Sequence, residues 1–249
     1  AEKANGSTIL LLHAWGCDGS IFSFIEKGLS EQPDVLTVDF PGHGQSGEPP
    51  VPWGVPEYAG QIAGLLESLS IAKVRVVAHS FGGRVAVYLA SHRPEMVEQM
   101  VLTGAAGIRK PLTETQKKRQ ARFKRMNAIL NALKRLRLLR AMVERWQAAL
   151  RRRYGSADYA RLNENMRRTF SKVISQDLYP FLKDIQAPTL LVWGSEDTET
   201  PLWMGEQMEK AIPDAGLVVF EGRTHFAFIE EWQRFLTIVR QFFWGGQTA

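Results

Sequence analysis

Six short runs of apolar, β-forming residues recur along this chain, with helix-like stretches between most of them. They are Thr8–Ala14, Val35–Phe40, Val74–His79, Met96–Gly104, Pro188–Gly194 and Gly216–Gly222. Within each run the apolar residues are largely continuous rather than alternating with polar ones. A strand wetted on one face alternates, whereas a strand covered on both faces does not have to. The intervening stretches Pro56–Ser70, Gly82–His92, Pro201–Ile212 and Glu231–Trp244 have helical patterning. Strands alternating with helices predict an α/β protein whose mostly parallel sheet is flanked by helices through right-handed crossovers.

The alternation stops between Thr103 and Ala187, where no convincing strand is visible. Met126, Ile129, Leu130, Leu133, Leu136, Leu139, Met142, Val143, Trp146, Ala149 and Leu150 recur there every three or four positions, as one face of a helix does. We therefore expect an all-helical insertion over 108–184, broken near Gly155-Ser156, with 1–107 and 185–249 forming the α/β core. The charge is divided in the same way. Residues 109–168 carry 19 Lys/Arg against 4 Asp/Glu, a net of +15, which leaves −10 for the rest of a chain whose total is +5. With an amphipathic pattern, such a segment is expected to present its arginines to water. Attraction of anionic substrates and weak contact with an anionic membrane surface are the two alternative readings of its charge.

In an open parallel sheet, ligands bind beyond the carboxyl ends of the strands. His13-Ala14-Trp15-Gly16 follows the first run, Asp39 the second and His79-Ser80 the third. Glu196-Asp197 follows the fifth, and Arg223-Thr224-His225 the sixth. A serine, carboxylates and imidazoles thus converge on one edge. Serine is a weak nucleophile until an imidazole takes its proton, and a buried carboxylate fixes the tautomer of that imidazole. His13, His79 and His225 all sit at strand ends, and Glu196, Asp197 and Glu199 share one loop. A sharp strand-to-helix turn at Ser80, eased by Gly82 and Gly83, would raise the hydroxyl above the sheet and aim free helix N–H groups at an oxyanion.

These stretches resemble the α/β-hydrolase superfamily over nearly the whole chain. Ala78-His79-Ser80-Phe81-Gly82-Gly83 is similar to its nucleophile elbow, and His13-Ala14-Trp15-Gly16 to its oxyanion loop. "DFPGHGQS" from Asp39, "GSEDTETP" from Gly194 and "EGRTHFAFIEE" from Glu221 resemble three further loops in the family's order. The resemblance implies a helical cap on the core, Ser80 as nucleophile, Asp197 as acid and His225 as base. It also implies the backbone amides of Trp15 and Phe81 as oxyanion donors. Ala78 and Ala14 stand where the family pattern has glycine, and a methyl at 14 bears on how the Trp15 amide is placed. Family members carry antiparallel strands before the oxyanion loop. With 12 residues before His13, those strands are expected to be missing or shortened.

The activity implied is that of a cofactor-independent serine esterase acting on small carboxylic esters. Carbon–carbon bond hydrolysis, lactone opening, aminopeptidase action and perhydrolysis remain open on the same triad, as does a non-catalytic ligand-binding or membrane-associated protein. No cofactor and no metal is expected, since no cluster of His, Cys or carboxylates has ligand spacing. No nucleic-acid partner is expected, because no recognition fold accompanies the basic residues. The single cysteine, Cys17, excludes an internal disulfide. With no apolar run long enough to span a bilayer and no opening signal peptide, it leads to an expectation of cytoplasmic localisation.

Overall fold

The computed structural model describes residues 8–29, 34–109, 114–133, 142–143, 145–146 and 162–245. All six expected strands form: β1 (Thr8–Leu12), β2 (Val35–Val38), β3 (Val74–His79), β4 (Val97–Thr103), β5 (Thr189–Gly194) and β6 (Ala215–Phe220). They make one sheet in the order β2-β1-β3-β4-β5-β6, and every pairing in it is parallel. The helices among the described residues are α1 (Ser23–Gly28), α2 (Val55–Ser68), α3 (Phe81–His92), α4 (Glu114–Leu133), α5 (Glu164–Ser175), α6 (Trp203–Ala211), α7 (Ala227–Glu230) and α8 (Trp232–Trp244).

The continuous apolar runs have a direct structural cause. Side chains along a strand point alternately to opposite faces, and here both faces are covered. Leu10, Leu12, Val76, Ala78, Met100, Leu102, Leu191 and Trp193 join a core with residues of α2, α3 and α6. Their neighbours Ile9, Leu11, Val77, Val101 and Val192 join a second core with Ile25 of α1, Phe228 of α7 and Phe235, Val239 and Phe243 of α8. Such two-sided burial suits Val, Leu and Ile at successive positions.

The chain divides into two compact units, 1–109 with 172–249, and 110–171. The second unit therefore ends earlier than the 108–184 read from the pattern. Val173, Leu178 and Leu182 are buried in the larger unit's core. Arg84 of α3 reinforces this, its Nη1 donating to the carbonyls of Val173 (3.1 Å) and Gln176 (3.0 Å) at the end of α5. Burial pulls that guanidinium down to about 10, and a cation suits the carbonyl end of a helix.

Within the smaller unit, Leu130 and Val143 are buried and pack with Phe123, Met126 and Leu133. The single apolar stripe read from the sequence needs correction here: Ile129, Met142 and Trp146 are 54%, 45% and 61% exposed. Adjacent residues on a helix point about 100° apart, so of the pairs 129/130 and 142/143 only one member of each reaches the seam. Leu136, Leu139, Ala149, Leu150 and the break at Gly155-Ser156 lie outside the described residues.

Candidate active site

At the carboxyl edge of the sheet, β3 ends on His79 and α3 begins on Phe81, so Ser80 alone makes the turn. Its backbone sits at φ 51°, ψ −105°. For a residue with a Cβ this left-handed conformation stores about 1–3 kcal/mol of strain. Neighbouring backbone holds it there: Ser80 N–H donates to Thr103 O (3.1 Å), and Ser80 O accepts from Ala106 N–H (3.1 Å). The two glycines that follow are needed for space. A Cβ on Gly82 would lie 2.1 Å from Leu12 O, and one on Gly83 2.5 Å from Ala105 Cβ.

That close approach brings the β1 loop to the start of α3. Gly82 N–H donates to His13 O (3.0 Å), and the Trp15 and Phe81 rings meet with centroids 5.3 Å apart. Phe81 is the first residue of α3, so its N–H has no partner within the helix. Ala14 is buried, and its carbonyl accepts from Cys17 N–H (3.2 Å) and His13 Nδ1 (2.7 Å). Gly16 completes this turn at φ 75°.

His13 and His79 are occupied as fasteners. His13 Nε2 accepts from Phe40 N–H (3.0 Å), which fixes Nδ1 as the donor to Ala14 O. His79 Nδ1 donates to Thr103 O (2.9 Å). Both rings are fully buried. Desolvation lowers the pKa of each, to about 3 for His79 and in direction for His13. His43, packed against Trp15 at 4.6 Å, is brought down to about 4, again chiefly by burial.

His225 and Asp197 come together. His225 Nδ1 lies 2.8 Å from Asp197 Oδ2, with the carboxylate side chain fully buried. The other oxygen, Oδ1, accepts from the N–H groups of Glu199 and Thr200, each at 2.9 Å. Burial alone would raise this carboxyl, but the hydrogen bonds from His225 and Thr200 outweigh it and hold Asp197 below the usual range. Gly104, at φ 48°, lies close to both partners: a Cβ there would be 3.1 Å from His225 Nδ1 and 3.2 Å from Asp197 Oδ2. The His225 loop is tied down by Glu230, which accepts from Thr224 N–H and Oγ1.

Ser80 stands one residue from His79, whose ring centroid is 4.6 Å from that of His225. The link from Ser80 Oγ to His225 is not made as a hydrogen bond among the described residues. Glu196 and Glu199, the other carboxylates of the acid loop, make no contact with His225 among the described hydrogen bonds and ion pairs. Among the same residues no three His, Cys, Asp or Glu side chains gather as metal ligands would.

Thr200 was not singled out by the sequence. Its Oγ1 lies 2.8 Å from Asp197 Oδ2, 2.9 Å from Gly104 O and 3.2 Å from His225 Nδ1. A threonine in a polar loop has no signature of its own, and one of its partners is 96 residues away.

A parallel sheet with a strained serine after its third strand and a histidine paired to a buried aspartate after its last two fits the comparison with known proteins. The sequence model of the Alpha/beta hydrolase family matches residues 9–238. This chain belongs to that family. It is similar to the pimeloyl-[acyl-carrier protein] methyl ester esterase of Chromobacterium violaceum, at 28% identity over 93% of this chain and 92% of that protein. A 2-hydroxy-6-oxo-2,4-heptadienoate hydrolase of Pseudomonas putida is 25% identical over 95% of this chain and 89% of its own length. The crystal structure of a hydrolase from Pseudomonas aeruginosa superposes with a TM-score of 0.71 at 26% identity, covering 96% of this chain and 91% of that one.

Proposed function

We propose that this α/β-hydrolase-family protein is a serine hydrolase that cleaves carboxylic esters through an acyl-enzyme on Ser80. The observation that carries the reading is the His225–Asp197 contact of 2.8 Å at the same sheet edge as a serine with a left-handed backbone. In this reading Ser80 Oγ attacks the ester carbonyl carbon while His225 Nε2 takes its proton. Asp197 holds the Nδ1–H and stabilises the imidazolium. The N–H groups of Trp15 and Phe81 receive the negative oxygen, where one such donor contributes roughly 3–4 kcal/mol to the transition state. The imidazolium then protonates the departing alcohol. A water deprotonated by the same ring attacks the acyl-enzyme, releasing the acid and restoring Ser80.

A chromogenic ester panel graded by acyl length, with neutral and acidic members, tests this. Turnover that is lost in Ser80→Ala supports it. An inactive wild type, or a Ser80→Ala variant of equal activity, contradicts it. The second reading is carbon–carbon bond hydrolysis of an acidic vinylogous diketone on the same residues. It is favoured by similarity to the heptadienoate hydrolase along most of the chain. Preference for such a substrate over every ester in the panel would select it.

A further inference from the structure

We infer that Thr200 is a positioning residue for the His225–Asp197 pair, its hydroxyl sharing the carboxylate oxygen that holds the imidazole. The inference rests on the triad reading above and deepens it.

Thr200 is itself firmly placed. Its carbonyl accepts from the indole N–H of Trp193 (2.6 Å), a fully buried side chain, and its own N–H donates to Asp197 Oδ1 (2.9 Å). The side chain is thereby set with Oγ1 between three acceptor or donor atoms. A hydroxyl has one proton, and two acceptors compete for it, Asp197 Oδ2 at 2.8 Å and Gly104 O at 2.9 Å. A hydrogen bond to a charged acceptor is about twice as strong as one to a neutral carbonyl, so the proton goes to the carboxylate. The Oγ1 lone pair then faces His225 Nδ1–H at 3.2 Å.

Two effects follow. Asp197 Oδ2 has its negative charge divided between His225 and Thr200, so it holds a protonated imidazole less tightly than an unshared oxygen would. Asp197 also accepts from both sides of its carboxylate, which stops it rotating away from the ring. The Oγ1 lone pair near Nδ1–H opposes the first effect, but that contact is 3.2 Å long, whereas the charge-assisted bond to Oδ2 is 2.8 Å and sets the direction. His79, at the end of β3, is uncharged at assay pH. Glu230 is engaged by Thr224, and Arg223 is neutralised by Glu231 at 2.8 Å.

Thr200→Val keeps the branched shape and removes the proton and lone pairs, and Thr200→Ser restores them. For Thr200→Val the acidic limb of the kcat/KM profile is expected to move up by about half to one pH unit. Activity at neutral pH should fall several-fold, with most of it recovered on the alkaline plateau. Thr200→Ser should keep the wild-type limb. A folded Thr200→Val whose limb coincides with wild type overturns the inference, because a merely structural role would alter stability without moving the limb. The titration midpoint of the His225 ring, followed by 15N NMR in wild type and Thr200→Val, reads the same shift without turnover. Equal midpoints refute the role of Thr200. A wild type with no activity but with the NMR shift refutes the hydrolase reading and leaves the positioning intact.

Discussion

The backbone at Ser80 leads to a prediction about stability rather than rate. At φ 51°, ψ −105° the Cβ is the source of the conflict, and a conformation of this kind costs about 1–3 kcal/mol. Glycine has no Cβ and adopts positive φ freely, but it loses about 0.5–1 kcal/mol more backbone entropy on folding. Taking the middle of each range, Ser80→Gly should be more stable than Ser80→Ala by roughly 1 kcal/mol. In a domain of this size that corresponds to about 2–4 °C in Tm. The alanine variant is the proper reference, since both lack the hydroxyl and only one retains the Cβ. Calorimetric melts of the two proteins in one buffer give the difference. If Ser80→Gly melts at or below Ser80→Ala, the turn stores no appreciable strain and the geometric account of the elbow fails.

Two more predictions concern glycines and acid. Gly82→Ala would put a methyl 2.1 Å from the carbonyl oxygen of Leu12, on backbone that cannot yield, so it should lose more than about 3 kcal/mol or fail to fold. Gly64→Ala on the exposed side of α2, with nothing within 4 Å of the new methyl, should gain about 0.5–1 kcal/mol; urea midpoints of the two variants should move in opposite directions. His79 is neutral when folded down to about pH 3, whereas an unfolded histidine takes up its proton near pH 6.5. The unfolded state therefore binds more protons between these values, and stability should fall as pH drops through this window by about 1.4 kcal/mol per unit. His79→Gln, which does not titrate, should flatten that slope in urea unfolding from pH 7 to 4, and an unchanged slope would contradict the assignment.

Much of this architecture was legible in the sequence because two-sided burial writes itself into composition. Each of the six apolar runs became a strand, with ends that match or differ by one or two residues. The first apolar run extends to Ala14, but β1 stops at Leu12 because the His13 carbonyl turns to Gly82 N–H instead of continuing a ladder. Helices α1 and α7 leave no mark in the sequence pattern, being six and four residues long, too short to complete a period. In the basic segment, periodicity correctly marked Leu130 and Val143 but also took in Ile129, Met142 and Trp146, since hydrophobicity alone does not say which of two neighbours turns inward. Ser80, Asp197 and His225 were visible as strand-end residues in a recognisable order. Thr200 was not, because its role exists only once β4, β5 and the His225 loop have been brought side by side.

The central claim is that Ser80 is a nucleophile activated by His225. Intact-mass spectrometry after incubation with a fluorophosphonate measures this directly, since only an activated serine displaces the fluoride. The account predicts one phosphonyl adduct per wild-type chain, mapped to the peptide containing Ser80, none in Ser80→Ala, and strongly slowed labelling in His225→Ala. A wild-type chain left unmodified while a control esterase is fully labelled would contradict it, as would an adduct that persists when Ser80 is replaced.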